Sequence, residues 1–188
     1  MDTNVQDGSF RYYAAYGVNL SSSHMAKRCR GAVLVGTGRI DGHRLAFRGT
    51  EVTELPYDTP LPYAYWDPVN QVERLEIARA DRNLRGWATV EPDPNSSVPV
   101  AVWGITPDQE RVLAVDGEYR GSPAIYHQAT VDVKLDDGDV LPTVTFIIDR
   151  ELSLAHPQGP YYAIIRLGYR EYGFELKYLH AALWSCAG

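Results

Sequence analysis

Long apolar runs and an excess of basic residues are both missing from this chain of 188 residues. No stretch approaches the roughly 18 consecutive apolar residues of a membrane-spanning helix, so we expect no membrane partner. Lysine and arginine number 18 against 24 aspartates and glutamates, which gives a formal net charge of −6. Because binding to a phosphate backbone needs a basic face, this balance argues against nucleic acid as a partner.

Cysteine is also scarce, with only Cys29 and Cys186 far apart in the chain. Two distant thiols cannot build a metal site alone, and the 5 histidines show no ligand spacing, so we expect no metal ion. Free thiols suit a reducing compartment. The first nine residues are polar and lack the basic-then-apolar pattern of a secretion signal. The sequence therefore predicts a cytoplasmic protein.

Tyrosine, in contrast, is abundant, with 13 residues, and 4 tryptophans accompany it. Tyrosine combines apolar area with a hydroxyl group, so we expect some of these side chains to line a pocket for a polar small molecule. The hydrophobic fraction of 45% is enough for a substantial core, and the length suits one domain over residues 1–188.

Strand patterns dominate the periodic parts of the chain. Residues 32–40 are predicted to form a strand, Asp41-Gly42 a hairpin turn, and residues 44–47 the returning strand. Residues 91–97 combine proline, aspartate, asparagine and serine and are predicted to form a loop. Residues 98–105 are predicted to form a buried strand.

Later segments continue this pattern. Thr106 is placed to cap a helix that begins with Pro107. Residues 125–135 and 143–148 are expected to pair across a turn at 136–139. Short helices are predicted elsewhere, at residues 22–30, 161–172 and 176–184, and Gly173 is placed to end the second of them.

Strands outnumber helices and no regular strand–helix–strand alternation appears. We therefore predict an α+β domain around a mixed or closed sheet. Residues 50–97 are less regular because several prolines interrupt them, and residues 70–79 fit either a strand or a short helix.

The segment 13–20 combines a short strand, a glycine turn and a serine run that opens a helix. Gly17 supplies the freedom to bend, and any of the serines at 21–23 can cap the helix. A strand, a glycine turn and a capped helix in succession can point backbone N–H groups at an anion such as a carboxylate. The segment is therefore a candidate anion site.

Five short patterns occur in order along the chain: YGVNL at 16–20, Met25-x-x-Arg28-Cys29, a glycine-rich strand pair at 38–47, VAVWGIT at 100–106, and a tyrosine-rich tail at 161–174. Together they resemble the gamma-glutamylcyclotransferase family. The resemblance covers most of residues 10–50 and 98–184. Residues 50–97 have no counterpart in the family and are predicted to be an insertion.

The resemblance implies a small closed mixed β-barrel with flanking helices. It also implies an enzyme that cyclises a gamma-glutamyl group to 5-oxoproline and releases an amine or amino acid, with no cofactor. The implied partner is a small gamma-glutamyl compound. The family's substrate-binding positions fall on Tyr16, Gly17, Val18, Asn19, Leu20 and Tyr126.

The catalytic carboxylate of the family lies in a Leu-Asp-x-x-Glu-Gly pattern that this chain does not reproduce. Counting from Leu113 puts the glutamate position on Gly117, and counting back from Tyr126 puts it on Arg120. The acids present in this loop are Glu118 and Asp116. Glu118 keeps the residue type and is the first candidate for the general base, with Asp116 second.

Val18 is a second departure, because the family has serine there. Valine keeps the backbone N–H but lacks the hydroxyl group. Two hypotheses follow from these departures. The chain is either a gamma-glutamylcyclotransferase-like enzyme or a non-catalytic small-molecule-binding module that kept the pocket and lost the catalytic glutamate.

Overall fold

The structure is a computed structural model that describes residues 10–51, 84–116, 125–148 and 150–187. Within these ranges the strands are β1 (Arg11–Ala15), β2 (Val33–Glu51), β3 (Leu84–Ile105), β4 (Tyr126–Leu135), β5 (Val140–Ile148) and β6 (Ser153–Leu154). The α-helices of the same ranges are α1 (Ser22–Arg28), α2 (Pro107–Asp116), α3 (Gly159–Glu171) and α4 (Lys177–Trp184). Short 3₁₀ turns occur at Val18–Leu20 and Ser185–Ala187.

Five of the strands close into a barrel. Strand β1 pairs antiparallel with β3 and parallel with β5, where Tyr13 lies opposite Val144. Strand β4 pairs antiparallel with both β5 and β2. Strand β2 pairs in turn with β3, which closes the barrel. Strand β6 is not part of this ring; it pairs antiparallel with β2 at Arg48 and Gly49. The predicted α+β fold with a closed mixed barrel and flanking helices is confirmed.

The hairpin predicted at Asp41-Gly42 is wrong. Strand β2 runs through this point, and its partner on both sides is β3, with Ile40 opposite Val98 and Phe47 opposite Ala88. Gly42 has a φ of 69°, a conformation that favours glycine, and it lies at an irregularity in the ladder. A glycine in this conformation suits a β-bulge as well as a turn, so the dipeptide alone could not distinguish the two.

The loop predicted at 91–97 is likewise part of a strand. Because Asp41 pairs with Ser97 and His43 pairs with Pro92, residues 93–96 all lie opposite Gly42 alone. The carboxylate of Asp93 accepts hydrogen bonds from the amide of Asn95 at 3.1 Å and from Ser96 Oγ at 2.9 Å. The turn chemistry is therefore present, but it produces a local bulge in β3 and does not end the strand.

Several local predictions are confirmed. Thr106 caps α2, since its Oγ1 accepts from the amide of Gln109 at 3.2 Å and Gln109 Oε1 accepts from the amide of Thr106 at 2.9 Å. Gly138, with a φ of 101°, lies in the turn between β4 and β5. Gly173 ends α3 in the left-handed conformation, and the amide of Phe174 donates to the carbonyl of Tyr169 at 2.8 Å.

The core lies inside the barrel and under α3 and α4. Ile40, Phe47 and Ile105 are fully buried there, and the ring of Phe47 packs against that of Tyr162 with 6.3 Å between their centroids. Among the described helices, none is long and apolar enough to cross a membrane.

The insertion at 50–97 within a single domain stays a prediction. Residues 52–83 of that stretch lie outside the described ranges, and residues 84–97 form the first part of β3.

Candidate functional site

A cavity of about 340 Å³ opens where the end of β1 meets β3, α1 and α3. Its walls come from segments that are far apart in the sequence and that the barrel brings together. The described residues that line it are Tyr13, Tyr16, Gly17, Val18, Asn19, His24, Arg28, Trp87, Ala88, Leu113, Tyr126, Phe146 and Tyr161.

The glycine turn predicted at 17–20 forms one wall of this cavity. Strand β1 ends at Ala15, and the 3₁₀ turn closes when the amide of Leu20 donates to the carbonyl of Gly17 at 2.9 Å. A Cβ atom on Gly17 would lie 3.6 Å from Ala88 Cβ and 3.7 Å from Tyr161 Oη. These are ordinary van der Waals distances, so the turn packs closely against β3 and α3 without requiring glycine for space. The first N–H groups of such a turn have no carbonyl partner within the turn itself.

Of the six predicted binding residues, five line the cavity: Tyr16, Gly17, Val18, Asn19 and Tyr126. Leu20 is fully buried, and its side chain lies against helix α3 at Gly168. It therefore anchors the turn to α3.

A chain of polar side chains crosses the wall behind the turn. Arg28 Nη1 on α1 donates to Asn19 Oδ1 at 2.8 Å. Asn19 Nδ2 in turn donates to Tyr13 Oη at 2.9 Å. Both Asn19 and Tyr13 are buried, whereas Arg28 is partly exposed. The arrangement places a guanidinium group and a phenol at the same wall as the backbone of the turn.

The other tyrosines of the cavity are held by β3 and β5. Tyr126 Oη donates to the carbonyl of Ala88 at 2.8 Å, and the amide of Ala88 donates to Tyr161 Oη at 3.0 Å. Tyr16 Oη donates to the carbonyl of Phe146. Burial raises the pKa of Tyr16 and of Tyr126 well above that of a free phenol, and neighbouring phenols act in the same direction. These hydroxyl groups therefore stay protonated at neutral pH.

The two candidate acids lie at the edge of what the structure describes. Glu118 is outside the described residues, and Asp116 is the last residue of α2, with only its backbone described. The described part of the cavity lining contains no carboxylate. Leu113, one turn before Asp116 in α2, lines the cavity, and so does Tyr126, which begins β4. The segment that carries both acids thus connects two cavity-lining positions.

Several cavity residues were not among the six predicted binding residues. Tyr13 and Arg28 lie within or beside the recognised patterns, but nothing in the local sequence shows that they share a hydrogen-bonded chain with Asn19. Trp87 belongs to the stretch assigned to an insertion, yet its ring packs edge-on against Tyr161 with 5.2 Å between centroids. Trp87 reaches the cavity through the pairing of β3 with β2, and the local sequence patterns did not predict that pairing.

Comparison with known proteins gives a likeness of fold. No protein-family model matches the sequence, and no curated protein matches it. Among solved structures, a gamma-glutamyl cyclotransferase superposes with a TM-score of 0.66 at 20% identity, covering 92% of this chain and 86% of that one. An uncharacterised human protein gives the same TM-score of 0.66 at 20% identity, over 94% and 87% of the two chains. A yeast gamma-glutamyl cyclotransferase specific to glutathione gives 0.50 at 13% identity, over 95% of each.

The chain therefore has the gamma-glutamyl cyclotransferase fold. This confirms the resemblance inferred from the five sequence patterns. At 13–20% identity, the similarity to these solved structures establishes the fold alone.

Proposed function

We propose that the protein is an enzyme that cyclises a gamma-glutamyl group to 5-oxoproline and releases the amine or amino acid to which it was attached. The observation that carries this proposal is the cavity beside the Gly17 turn, within a barrel of the gamma-glutamyl cyclotransferase fold. A volume of about 340 Å³ lies at the small end of the range for ligand pockets. It suits a compound of dipeptide size.

The cavity offers separate places for the charged and apolar parts of such a substrate. The alpha-carboxylate of the gamma-glutamyl group fits the wall formed by Gly17, Val18 and Asn19, beside the guanidinium group of Arg28. Trp87 and Leu113 supply apolar surface for the remaining atoms. No cofactor takes part in this proposal.

The reaction moves one proton and exchanges one amide bond for another. The alpha-amine loses a proton and attacks the gamma-carbonyl carbon, which gives a tetrahedral oxyanion. The bond to the leaving nitrogen then breaks, and the proton passes to the departing amine. Because the attack is intramolecular, holding the folded conformer of the substrate is a large part of catalysis. Hydrogen-bond donors aimed at the oxyanion supply a further part.

One carboxylate can accept the proton from the alpha-amine and return it to the leaving amine. We propose Glu118 for this role, with Asp116 as the second candidate. The position of their segment between Leu113 and Tyr126, which both line the cavity, supports this assignment.

The test is to incubate the protein with gamma-glutamyl dipeptides and gamma-glutamylamines and to measure 5-oxoproline. We expect Glu118→Gln to lower turnover by roughly 10² to 10⁴, the usual contribution of a general acid–base group. Asp116→Asn should retain activity, and Asp137→Asn, in the exposed turn between β4 and β5, is the matched control. Absence of 5-oxoproline from every substrate would refute the enzymatic proposal.

A second candidate function is a non-catalytic module that binds a small gamma-glutamyl compound. Val18 favours it, because an apolar side chain lines the cavity at the position where the family resemblance leads one to expect a serine hydroxyl. This candidate predicts measurable affinity for gamma-glutamyl ligands by calorimetry without formation of 5-oxoproline.

A further inference from the structure

The orientation of the Asn19 amide is fixed by its neighbour Arg28. A guanidinium group can only donate hydrogen bonds, so the atom that faces Arg28 Nη1 at 2.8 Å has to be the oxygen Oδ1. The opposite atom, 2.9 Å from Tyr13 Oη, is therefore the NH₂ group, which can only donate. Tyr13 Oη accepts this bond.

As a consequence, the hydroxyl proton of Tyr13 is not used within this chain of hydrogen bonds. Among the described residues, no acceptor receives a hydrogen bond from Tyr13 Oη, although the side chain is only 6% exposed. Two other phenols of the cavity, Tyr16 and Tyr126, each donate to a backbone carbonyl. Tyr13 thus differs from them in having a buried donor with no acceptor among the described residues. A buried donor without an acceptor is costly, and a ligand that supplies one removes that cost.

The phenol of Tyr13 also remains a donor at neutral pH. Burial raises its pKa, which outweighs the opposing effects of the Asn19 hydrogen bond and of the Arg28 charge. The bond that Tyr13 accepts from Asn19 polarises its own O–H group, since chains of hydrogen bonds strengthen one another. An anionic oxygen is the acceptor that such a donor, next to a guanidinium group, would favour.

We propose that Tyr13 is a substrate-binding residue whose hydroxyl donates to the alpha-carboxylate of the gamma-glutamyl group, with Asn19 and Arg28 holding it in that role. The inference rests on the proposed function, because it takes the cavity ligand to be a gamma-glutamyl compound. It adds a phenol donor to a wall that also offers backbone N–H groups and the guanidinium group of Arg28. It also makes the alpha-carboxylate a requirement for binding.

The test uses two unreactive probes that differ only in this group. Glutaramate carries a carboxylate and a gamma-carboxamide but no alpha-amine, so it cannot cyclise, and glutaramide replaces its carboxylate with a neutral amide. We expect calorimetry to show binding of glutaramate and little or no binding of glutaramide. Tyr13→Phe keeps the ring that packs near Phe146 and should weaken glutaramate binding roughly 10- to 100-fold, as for loss of a hydrogen bond to a charged group.

Tyr169→Phe is the matched control. Tyr169 is fully buried on α3, its hydroxyl has no partner among the described residues, and it does not line the cavity. This variant should bind glutaramate as the wild type does. Equal affinity of Tyr13→Phe and the wild type, or no binding of glutaramate by the wild type, would overturn the proposal.

A second pair of variants covers the case in which Tyr13→Phe does not fold. Arg28→Met should weaken glutaramate binding, and Arg28→Lys should recover part of the affinity because it restores the charge. Wild-type affinity in Arg28→Met would also overturn the proposal. Release of 5-oxoproline is measured separately on the same preparations. Tyr13-dependent glutaramate binding without turnover would refute the enzyme and leave this inference standing. Turnover by the wild type, together with unchanged glutaramate binding in Tyr13→Phe, would support the enzyme and refute this inference.

Discussion

Substituting alanine for Gly168 tests how firmly helix α3 holds the binding turn. A Cβ atom built on Gly168 would lie 2.8 Å from Leu20 Cγ, 2.9 Å from Leu20 Cβ and 2.9 Å from the backbone nitrogen of Ser21. Carbon atoms in contact prefer about 3.5 to 4.0 Å, so either α3 or the turn has to move. Because one of the three contacts is backbone, a change of side-chain rotamer alone cannot relieve the overlap.

Two effects of opposite sign determine how much Gly168→Ala changes the free energy of unfolding. Replacing glycine with alanine inside a helix stabilises by up to about 1 kcal/mol. Forcing an extra carbon into a well-packed core costs about 1 to 3 kcal/mol. We therefore expect a net loss of up to about 2 kcal/mol for Gly168→Ala, which corresponds to a fall in Tm of a few degrees for a chain of this size.

The assay is thermal unfolding together with ligand binding. Displacement of Leu20 and Ser21 also displaces Val18 and Asn19, so affinity for a gamma-glutamyl ligand should fall along with Tm. Gly36→Ala is the control, since its Cβ atom would meet nothing closer than Leu135 Cδ2 at 3.9 Å. A Gly168→Ala protein with a Tm at or above the wild-type value and unchanged affinity would refute the argument that α3 positions this turn.

Features that depend on a few adjacent residues could be predicted from the sequence. The cap of α2 follows from Thr106 and Gln109, three residues apart, and the turn between β4 and β5 follows from a short acidic segment with Gly138. The buried strand at 98–105 follows from its apolar composition. In each case the residues that determine the conformation lie within one turn or one strand, so local propensity was sufficient.

Features that depend on pairing between distant segments could not be predicted in this way. Asp41-Gly42 has the composition of a hairpin turn, but β3 is the partner of β2 on both sides of this point, so the chain continues in the same ladder after the bulge. The same pairing brings Trp87 to the cavity. The glycine turn was recognised because its glycine and serines are local, whereas the Tyr13–Asn19–Arg28 chain required the relative positions of β1 and α1.

Two further predictions concern stability. Thr106→Val removes the acceptor for the Gln109 amide at the start of α2. It should lower the free energy of unfolding in urea by about 1 kcal/mol and speed the exchange of the Gln109 amide hydrogen. Exchange as slow as in the wild type would contradict the cap. Glu91 is fully buried between β2 and β3, where Arg48 Nε and Arg44 Nη2 donate to its carboxylate at 2.5 and 3.0 Å. Burial alone would raise the pKa of Glu91, but the hydrogen bonds and charges of Arg48 and Arg44 outweigh it, so the pKa lies below its usual value. A carboxyl group whose pKa is lower in the folded state stabilises the fold fully above the unfolded pKa of about 4.3, and this stabilisation is lost as the pH falls through the folded pKa. Glu91→Gln should therefore destabilise the protein at pH 7 by about 2 to 4 kcal/mol, somewhat below the usual cost of breaking a buried ion pair because the Arg44 side chain is 41% exposed. The variant should also lose less stability than the wild type between pH 5 and pH 3. An equal loss of stability in both proteins would show that protonation of Glu91 does not cause the acid-induced loss.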